Sequence, residues 1–282
     1  MIENHPEDAR LVAIMLGKRC TTLKISNSFL DGRLSSNIEC QLKVLDVSQS
    51  AHRTKHFDVL EDIMFSCCSL KHLKMEGFFL TPKMAYSICK NSKTLQTLNL
   101  KSATLDESNL QKIIKSCQDL KEFDLAYVGD MSGGIYCYTD EHFEYLAENM
   151  SPNVEKLDLG GTSIMDYEVK ILLSRCNRIK TLGLEETGIN DNTPKTITDH
   201  LNCTLEELSL SLGHESLSEP SFNSFLELKS MPRLKILNLC YENVDGEKIQ
   251  NLRQHLSHLM IKVSSPFDPQ NRKSITRNYN HS

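Results

Sequence analysis

Two groups of residues in this chain have types and spacing that could support chemistry. Cys67, Cys68 and His72 lie close together in the sequence, and thiolate and imidazole are groups that Zn²⁺ prefers as ligands. Glu185 and Glu186 are adjacent carboxylates, which could in principle serve as general acid and base. Whether either group could bind a metal ion or catalyse a reaction depends on the strands and helices that position these side chains.

A repeated phrase predicts those elements: an apolar residue, two variable residues, an apolar residue, one variable residue and a final apolar residue. This phrase is typical of the strand of leucine-rich repeats. Two weaker copies, at 22–25 and 256–261, bring the total to about ten repeats. The eight clear copies span 42–47, 70–75, 95–100, 120–125, 154–159, 179–184, 205–210 and 234–239.

The segments between the strands have helical periodicity. Residues Leu110 to Cys117 place apolar side chains at i, i+3, i+4 and i+7. Strand and helix must then cover each other, since neither buries its apolar face alone. The sequence therefore predicts an α/β leucine-rich-repeat horseshoe of the cysteine-containing type, with a concave parallel β-sheet and helices outside.

The predicted fold decides whether either candidate group of residues could bind a metal ion or catalyse a reaction. The strand pattern places Cys67 in a core turn and His72 on the concave face, so we do not expect them to share a metal ion. The repeat pattern predicts neither a pocket beside Glu185 and Glu186 nor a second catalytic residue that could act with them. We therefore expect no catalytic residue, cofactor or metal ion, and a protein that binds partners rather than an enzyme.

The net charge, the lack of long apolar runs and the positions of the cysteines limit the class of partner and the cellular compartment of the protein. A net charge of −5 argues against a general nucleic-acid or membrane-surface binder. No apolar run approaches the roughly 20 residues of a bilayer span. Cys67, Cys117 and Cys176, three of the 10 cysteines, each precede a strand phrase by three residues, which is typical of buried small side chains. We expect free thiols and a location in the nucleus and cytoplasm.

Side chains alternate along a strand, so the variable positions of each phrase point to the concave face. In the middle and later repeats these positions, and those just past the strands, are largely acidic. They would favour a partner with a basic patch, or they simply solvate an exposed sheet. Tyr127 and Tyr241 are the better anchors, because aromatic side chains dominate interface energies. The other candidate binding residues are Asp124, Asp158, Glu185, Glu186, Glu207 and Asn238.

The spacing of the repeats also predicts the boundaries of the repeat domain. Residues 1–20 are linker-like, 21–263 form the repeat domain and 264–282 form a tail. The tail is either a disordered end or a strip that docks back on the sheet. Residues 129–140, rich in glycine, aspartate and tyrosine, lengthen one repeat, and they form either part of a binding face or a tolerated surface insertion.

Off-pattern segments resemble the F-box leucine-rich-repeat proteins that serve as substrate receptors of SCF ubiquitin ligases. The order of these segments is preserved over nearly the whole chain, from about residue 5 to about residue 275. They are 5–11, 19–20 and 28–31 before the first repeats, then 44–50, 90–92, 231–237 and 256–259.

The resemblance implies that the chain binds a phosphorylated substrate, such as a cyclin-dependent kinase inhibitor, together with a Cks-type accessory protein. The family's aromatic anchor falls on Tyr127 and one of its concave acidic positions on Glu186. A family arginine near the substrate falls on Leu212, which puts that contact in doubt. The resemblance implies a tail that folds back along the sheet. Since an F-box needs about 40–50 residues before the linker, we expect no F-box here, and binding of the SCF adaptor only if one exists upstream.

A different class of protein also has this strand phrase. A free-standing repeat scaffold, or a GTPase regulator of the ribonuclease-inhibitor type, would have no link to ubiquitin. Such proteins keep strict periods of about 28–29 residues. Most spacings between the middle residues of the strands here are 25 or 26, as from Leu73 to Leu98 and from Leu182 to Leu208, which disfavours that alternative.

Overall fold

The computed structural model describes residues 2–3, 20–26, 41–48, 57–129, 140–212, 217–241 and 245–264. It divides into two compact units. Unit 1 comprises Met1–Phe123 and Val128–Ile135, and unit 2 comprises Asp124–Tyr127 and Tyr136–Ser282. Most of the predicted linker, most of the predicted loop at 129–140 and nearly all of the predicted tail lie outside the described residues.

Unit 1 alternates short parallel strands with helices. Strand β6 (Glu122–Asp124) begins in this unit, and neighbouring strands pair in chain order. The other strands are β1 (Ile2–Glu3), β2 (Thr22–Ser26), β3 (Val44–Asp46), β4 (His72–Lys74) and β5 (Thr97–Asn99). The helices are α1 (Phe57–Ser66), α2 (Pro82–Lys90) and α3 (Glu107–Ser116).

Unit 2 repeats the same alternation, starting from the last residue of β6. Neighbouring strands from β7 to β11 again pair in parallel and in chain order. The strands are β7 (Lys156–Asp158), β8 (Thr181–Leu184), β9 (Glu207–Leu210), β10 (Ile236–Cys240) and β11 (Met260–Ser264). The helices are α4 (Asp140–Asn149), α5 (Asp166–Arg175), α6 (Thr193–Leu201), α7 (Glu219–Phe225), a 3₁₀ helix (Leu226–Ser230) and α8 (Gly246–His255).

Within each unit, the register of neighbouring strands stacks the central residue of one strand phrase on that of the next. In unit 1, Leu45 pairs with Leu73, and Leu73 with Leu98, and all three are fully buried. Unit 2 stacks its central leucines in the same way. Helices contribute the opposite wall of the core, as α2 does with Met84 and Ile88. The predicted α/β leucine-rich-repeat fold is confirmed.

Helix starts follow local capping chemistry. The Thr81 hydroxyl accepts the Met84 N–H at the start of α2, and an Asp106 carboxylate oxygen accepts the Asn109 N–H at 2.9 Å at the start of α3. These oxygens satisfy backbone donors that have no partner within the helix. These two caps therefore fix the residues at which α2 and α3 begin.

Two details at the ends of the sheet differ from the prediction. The structure pairs Leu237 with Ile261, so the central residue of the last strand is Ile261 and not Leu259. Residues two apart point to the same face of a strand, so an apolar pattern alone does not separate these two registers. Strand β1, which pairs Ile2 with Ile25, has no strand phrase and was not predicted.

The cysteines that precede strand phrases are buried, as predicted. Burial raises the pKa of the Cys117 and Cys176 thiols to about 12, because a thiolate is poorly solvated there. The expectation of free thiols is wrong at Cys67, which is disulfide-bonded. The repeat pattern reports that Cys67 is buried, but it does not report which sulfur is beside it.

Asn91 ties one repeat to the next at the end of α2. Its side-chain amide donates to the carbonyl oxygens of Cys67 at 3.0 Å and Ser87 at 2.9 Å, and its side-chain oxygen accepts the Leu70 N–H at 3.0 Å. Asn91 is almost fully buried, so water does not replace these bonds. A single side chain thus satisfies two backbone groups of the turn that leads into β4 and one carbonyl oxygen of α2.

We predict that Asn91→Ala lowers the free energy of unfolding by about 2–4 kcal/mol, because it leaves buried backbone groups without partners. Urea denaturation followed by circular dichroism measures this change. The control is Asn202→Ala, at the exposed C-terminal cap of α6, which should cost less than about 1 kcal/mol. Equal losses in the two variants would contradict a special role for Asn91.

Candidate protein-binding surface

The residue two positions after the last apolar residue of a strand phrase has left-handed backbone geometry in several repeats. At Ser102, Tyr127 and Glu186 the φ angle lies between 53° and 56°, and glycine occupies the equivalent positions 77 and 161. This geometry is unfavourable for residues with a Cβ atom, so the surrounding contacts must hold it. Two of the predicted binding residues, Tyr127 and Glu186, therefore lie at strained turns.

A hydrogen bond joins these two turns in unit 2. The Tyr127 hydroxyl donates to Glu186 Oε1 at 2.9 Å, although 59 residues separate them in the chain. Gly161 lies beneath the tyrosine ring, since a Cβ atom there would be 2.1 Å from Tyr127 Cδ1. Burial, reinforced by the Glu186 carboxylate, raises the pKa of the Tyr127 hydroxyl well above its usual value. Tyr127 is thus a neutral hydrogen-bond donor at physiological pH.

Further polar contacts hold Glu186 in place. Its backbone N–H donates to Ser211 Oγ at 3.0 Å, and the Cys240 thiol points at its Oε1 from 3.9 Å. Burial and the neighbouring glutamates raise the pKa of Cys240 to about 12, so its thiol keeps its proton. Tyr127 and Glu186, with Gly161 beneath them, form what we call the tyrosine–glutamate bridge.

Tyr241 and Leu212, two other predicted binding residues, form a buried pair. Tyr241 is only 2 % exposed and Leu212 only 1 %. The Tyr241 hydroxyl accepts the Leu212 N–H at 3.1 Å, and burial raises the pKa of the hydroxyl to about 12. Their side chains therefore support the surface from beneath in this structure and do not present themselves to a partner.

Asp124 and Asp158 lie on the sheet face, where their carboxylates also shape the turns that follow their strands. Asp124 Oδ1 accepts the Ala126 N–H at 3.1 Å, and Asp158 Oδ1 accepts the Gly160 N–H at 3.0 Å. Asp158 also leans over the next strand, where a Cβ atom on Gly183 would be 2.4 Å from Asp158 Oδ1. Part of the acidic character of this face therefore serves local backbone structure, as aspartate does in Asx turns.

Glu207 and Asn238 form the third predicted pair that the structure brings together. The Asn238 side-chain amide donates to Glu207 Oε1 at 3.1 Å and to Ser209 Oγ at 2.9 Å. Both predicted residues are half-buried on the outward positions of β9 and β10, and so is Glu185 beside the tyrosine–glutamate bridge. We call the partly exposed residues of this surface the acidic face of unit 2: Asp124, Tyr127, Asp158, Glu185, Glu186, Glu207 and Asn238.

Residues that the sequence reasoning missed are mostly small. Gly161 and Gly183 make room for Tyr127 and Asp158, and Ser209 and Ser211 provide hydroxyls to the neighbouring polar groups. Aligning the repeats would have identified Gly161, since it occupies the same place as Tyr127 and Glu186 in its own repeat. No comparable pattern marks the two serines.

The groups that suggested chemistry have other partners in the structure. His72 Nδ1 is within 3.0 Å of Thr97 Oγ1 on the face of unit 1, while Cys67 is buried and disulfide-bonded. In the described ranges, no cluster of three histidine, cysteine, aspartate or glutamate residues could hold a metal ion. Within the same ranges, every helix is too short or too polar to span a bilayer.

Comparison with known proteins identifies the class. Residues 10–282 match the family model described as the SKP2 LRR domain. F-box/LRR-repeat protein 4 of Bos taurus is 29 % identical over 136 residues, a match that covers 45 % of this chain and 21 % of that protein. The chain therefore spans about a fifth of the length of this relative.

Two solved structures share the repeat fold at low similarity. An internalin from Listeria monocytogenes is 14 % identical with a TM-score of 0.49, and the match covers 95 % of this chain and 92 % of the internalin. A leucine-rich-repeat protein of Leptospira interrogans is 16 % identical with a TM-score of 0.43, over 87 % of this chain and 72 % of that protein. Likeness at this level says nothing about function.

The strands, the helices and the polar sheet face define a leucine-rich-repeat domain, a scaffold class that binds other proteins. The family match spans nearly the whole chain. The chain belongs to the SKP2 leucine-rich-repeat domain family and is related to F-box leucine-rich-repeat proteins.

We predict that Gly161→Ala destabilises the protein by about 2–4 kcal/mol, since it adds backbone strain and forces the Tyr127 ring aside. Combining it with Tyr127→Ala should recover part of that loss, because the clash then disappears while the strain remains. A double-mutant cycle measured by urea denaturation tests this. Gly246→Ala, where a Cβ atom meets nothing, is the control. Additive effects of Gly161→Ala and Tyr127→Ala would contradict the packing described.

We also predict a loss of stability at alkaline pH caused by the buried tyrosines. The pKa values of Tyr127 and Tyr241 are raised in the folded state, so the folded protein holds these protons more tightly than the unfolded chain. The stabilisation is complete below about pH 10 and falls as the pH rises toward 12.

Urea denaturation between these two pH values measures the effect, and Tyr127→Phe should flatten the decline because it removes one titrating group. Tyr86→Phe is the matched control, since that tyrosine is exposed. A decline as steep in Tyr127→Phe as in the parent protein would show that Tyr127 does not contribute.

Proposed function

We propose that this chain is the substrate-binding domain of an SCF-type ubiquitin ligase receptor. The observation that carries the proposal is the match of residues 10–282 to the SKP2 leucine-rich-repeat domain. The relation to F-box/LRR-repeat protein 4 supports the same class. Binding of the SCF adaptor is part of the proposal only for a polypeptide that also carries an F-box.

The proposed substrate is a phosphorylated cell-cycle regulator of the cyclin-dependent kinase inhibitor type, held together with a Cks-type accessory protein. The acidic face of unit 2 supports a partner with a basic patch, because complementary charge guides association and selects the partner. The same face is poorly suited to bind phosphate directly, since Glu185 and Glu186 would repel it. We therefore assign phosphate recognition to the accessory protein. The proposed location is the nucleus and cytoplasm.

The tyrosine–glutamate bridge gives this surface a fixed centre. Tyr127 is half-buried, and its ring and hydroxyl are held by Gly161 and Glu186. An aromatic side chain that is already ordered loses little conformational freedom on binding, so more of its contact energy contributes to affinity. Tyr127 is accordingly the proposed anchor residue for the partner.

Binding measurements with purified proteins test the proposal. Isothermal titration calorimetry would use a Cks-type protein and a phosphorylated peptide from a cyclin-dependent kinase inhibitor, added separately and together. We expect the double variant Glu185→Lys/Glu207→Lys to weaken binding of the Cks-type protein by about tenfold or more. Tyr127→Ala should weaken it by a similar factor.

The control is Glu148→Lys on the exposed side of α4, which makes the same charge change as each of the two substitutions in the double variant. Lysine in the last turn of a helix is favourable, so this variant should fold and bind like the parent protein. If the folded parent binds neither the Cks-type protein nor the phosphopeptide, alone or together, the proposed function is wrong.

A further inference from the structure

Unit 1 carries two aromatic side chains that its own core leaves exposed. Phe65, at the end of α1, is 46 % exposed, and Tyr86, in the middle of α2, is 61 % exposed. Their rings stack with centroids 6.2 Å apart and planes 24° from parallel. Scattered exposed apolar residues are ordinary, but two large aromatic rings in contact form a continuous apolar patch that water solvates poorly.

A lysine holds this aromatic pair in place. The Lys90 ammonium is 4.8 Å from the centre of the Phe65 ring and donates a 2.8 Å hydrogen bond to the Phe65 carbonyl oxygen. That oxygen belongs to the last turn of α1, where helix carbonyls need outside donors. Phe65 is thus fixed between Tyr86 and Lys90 before any partner arrives, and an ordered aromatic patch binds at a lower entropic cost.

The positive charge beside the patch is not neutralised locally. Phe65, Lys90 and Lys115 are each 25 residues apart, which is the repeat length here, so they occupy equivalent places on the adjacent helices α1, α2 and α3. Lys112 is one turn earlier on α3, where its ammonium is 3.5 Å from the Ser108 hydroxyl. In the part of the chain that the structure describes, none of these three lysines forms an ion pair.

Three carboxylates of α1 and α3 have partners other than these lysines. Glu61 and Asp62 on α1 both contact Lys83, at 3.6 Å and 2.8 Å. Glu107 lies in the first turn of α3, at the opposite end from Lys115, and accepts a hydrogen bond from Gln111. The C-terminal parts of α2 and α3 therefore present three lysines, Lys90, Lys112 and Lys115, beside an apolar centre.

We propose that Phe65, Tyr86, Lys90, Lys112 and Lys115 form a second protein-binding site, for an acidic segment with an apolar anchor. A leucine or aromatic side chain of the partner would pack on the stacked rings, and its flanking carboxylates would meet the lysines. This chemistry is opposite in charge to the acidic face of unit 2, so the site selects a different partner. This second site shares no residue and no helix or strand with the acidic face of unit 2, so it does not depend on the proposed function.

Fluorescence anisotropy with three labelled synthetic peptides tests the site. The first alternates glutamate with leucine around one tryptophan, the second replaces each glutamate by lysine, and the third replaces the leucines and tryptophan by serine. We expect only the first to bind the full chain, because binding needs both the apolar anchor and the negative charge. Tyr86→Ser and Lys115→Glu should each weaken that binding by about tenfold or more.

Matched controls come from α5 of unit 2. Tyr167 is 61 % exposed, like Tyr86, and Lys170 is an exposed helical lysine, like Lys115. Tyr167→Ser and Lys170→Glu should leave the affinity unchanged, and circular dichroism confirms that each variant is folded.

Equal binding of the first and second peptides would overturn the proposal, as would failure of the first to bind at about millimolar concentration. Light scattering tests whether the patch instead joins two copies of the chain. A dimer of the chain that Tyr86→Ser dissociates would mean that the patch joins two copies, and the acidic-partner assignment would then be wrong.

Discussion

The register of the parallel strands is the constraint on which the rest of this structure depends. Each strand places one central apolar side chain against its counterpart in the next repeat, as Leu73 does against Leu98 in unit 1 and Leu182 against Leu208 in unit 2. A slip of one residue would turn every buried side chain outward and every face residue inward. The strand register therefore determines both which side chains form the core and which form the binding face. Substitutions that keep the core can alter the face freely, which is how one scaffold acquires different partners.

The turns that follow the strands convert this regular ladder into a specific surface. At these turns the backbone adopts left-handed geometry, which favours glycine, yet Tyr127 and Glu186 occupy two of the positions in unit 2. The strain is held by the hydrogen bond between their side chains and by the space that Gly161 leaves for the ring. Strained residues concentrate at functional sites, because only there does the benefit justify the cost in stability. In unit 2, the tyrosine–glutamate bridge is thus where residues other than glycine occupy this turn position.

The sequence predicts the repeat fold well because its signal is periodic and appears in every repeat. A resemblance to a family also selects Tyr127 and Glu186 as candidate binding residues, but the hydrogen bond between them, across 59 residues, is not encoded in the repeat pattern. Tyr241 illustrates the limit: its position just past a strand suggested an exposed anchor, whereas the structure buries it and uses its hydroxyl to satisfy a backbone N–H. The disulfide at Cys67 was missed for a similar reason: the repeat pattern predicts that Cys67 is buried, but it does not identify the cysteine to which Cys67 is bonded. Pairwise contacts between distant repeats are the part that sequence reasoning does not reach.

We propose that the acidic face of unit 2, and not a helical surface, receives the partner of the proposed ligase. Hydrogen–deuterium exchange measured by mass spectrometry, with and without a Cks-type protein and a phosphorylated kinase-inhibitor peptide, tests this most directly. We expect slower exchange in the segments that follow β7, β8 and β9, around Gly161, Glu186 and Leu212, with no change in α5 and α6. Protection of those two helices, with unchanged exchange at the three strand ends, would contradict it.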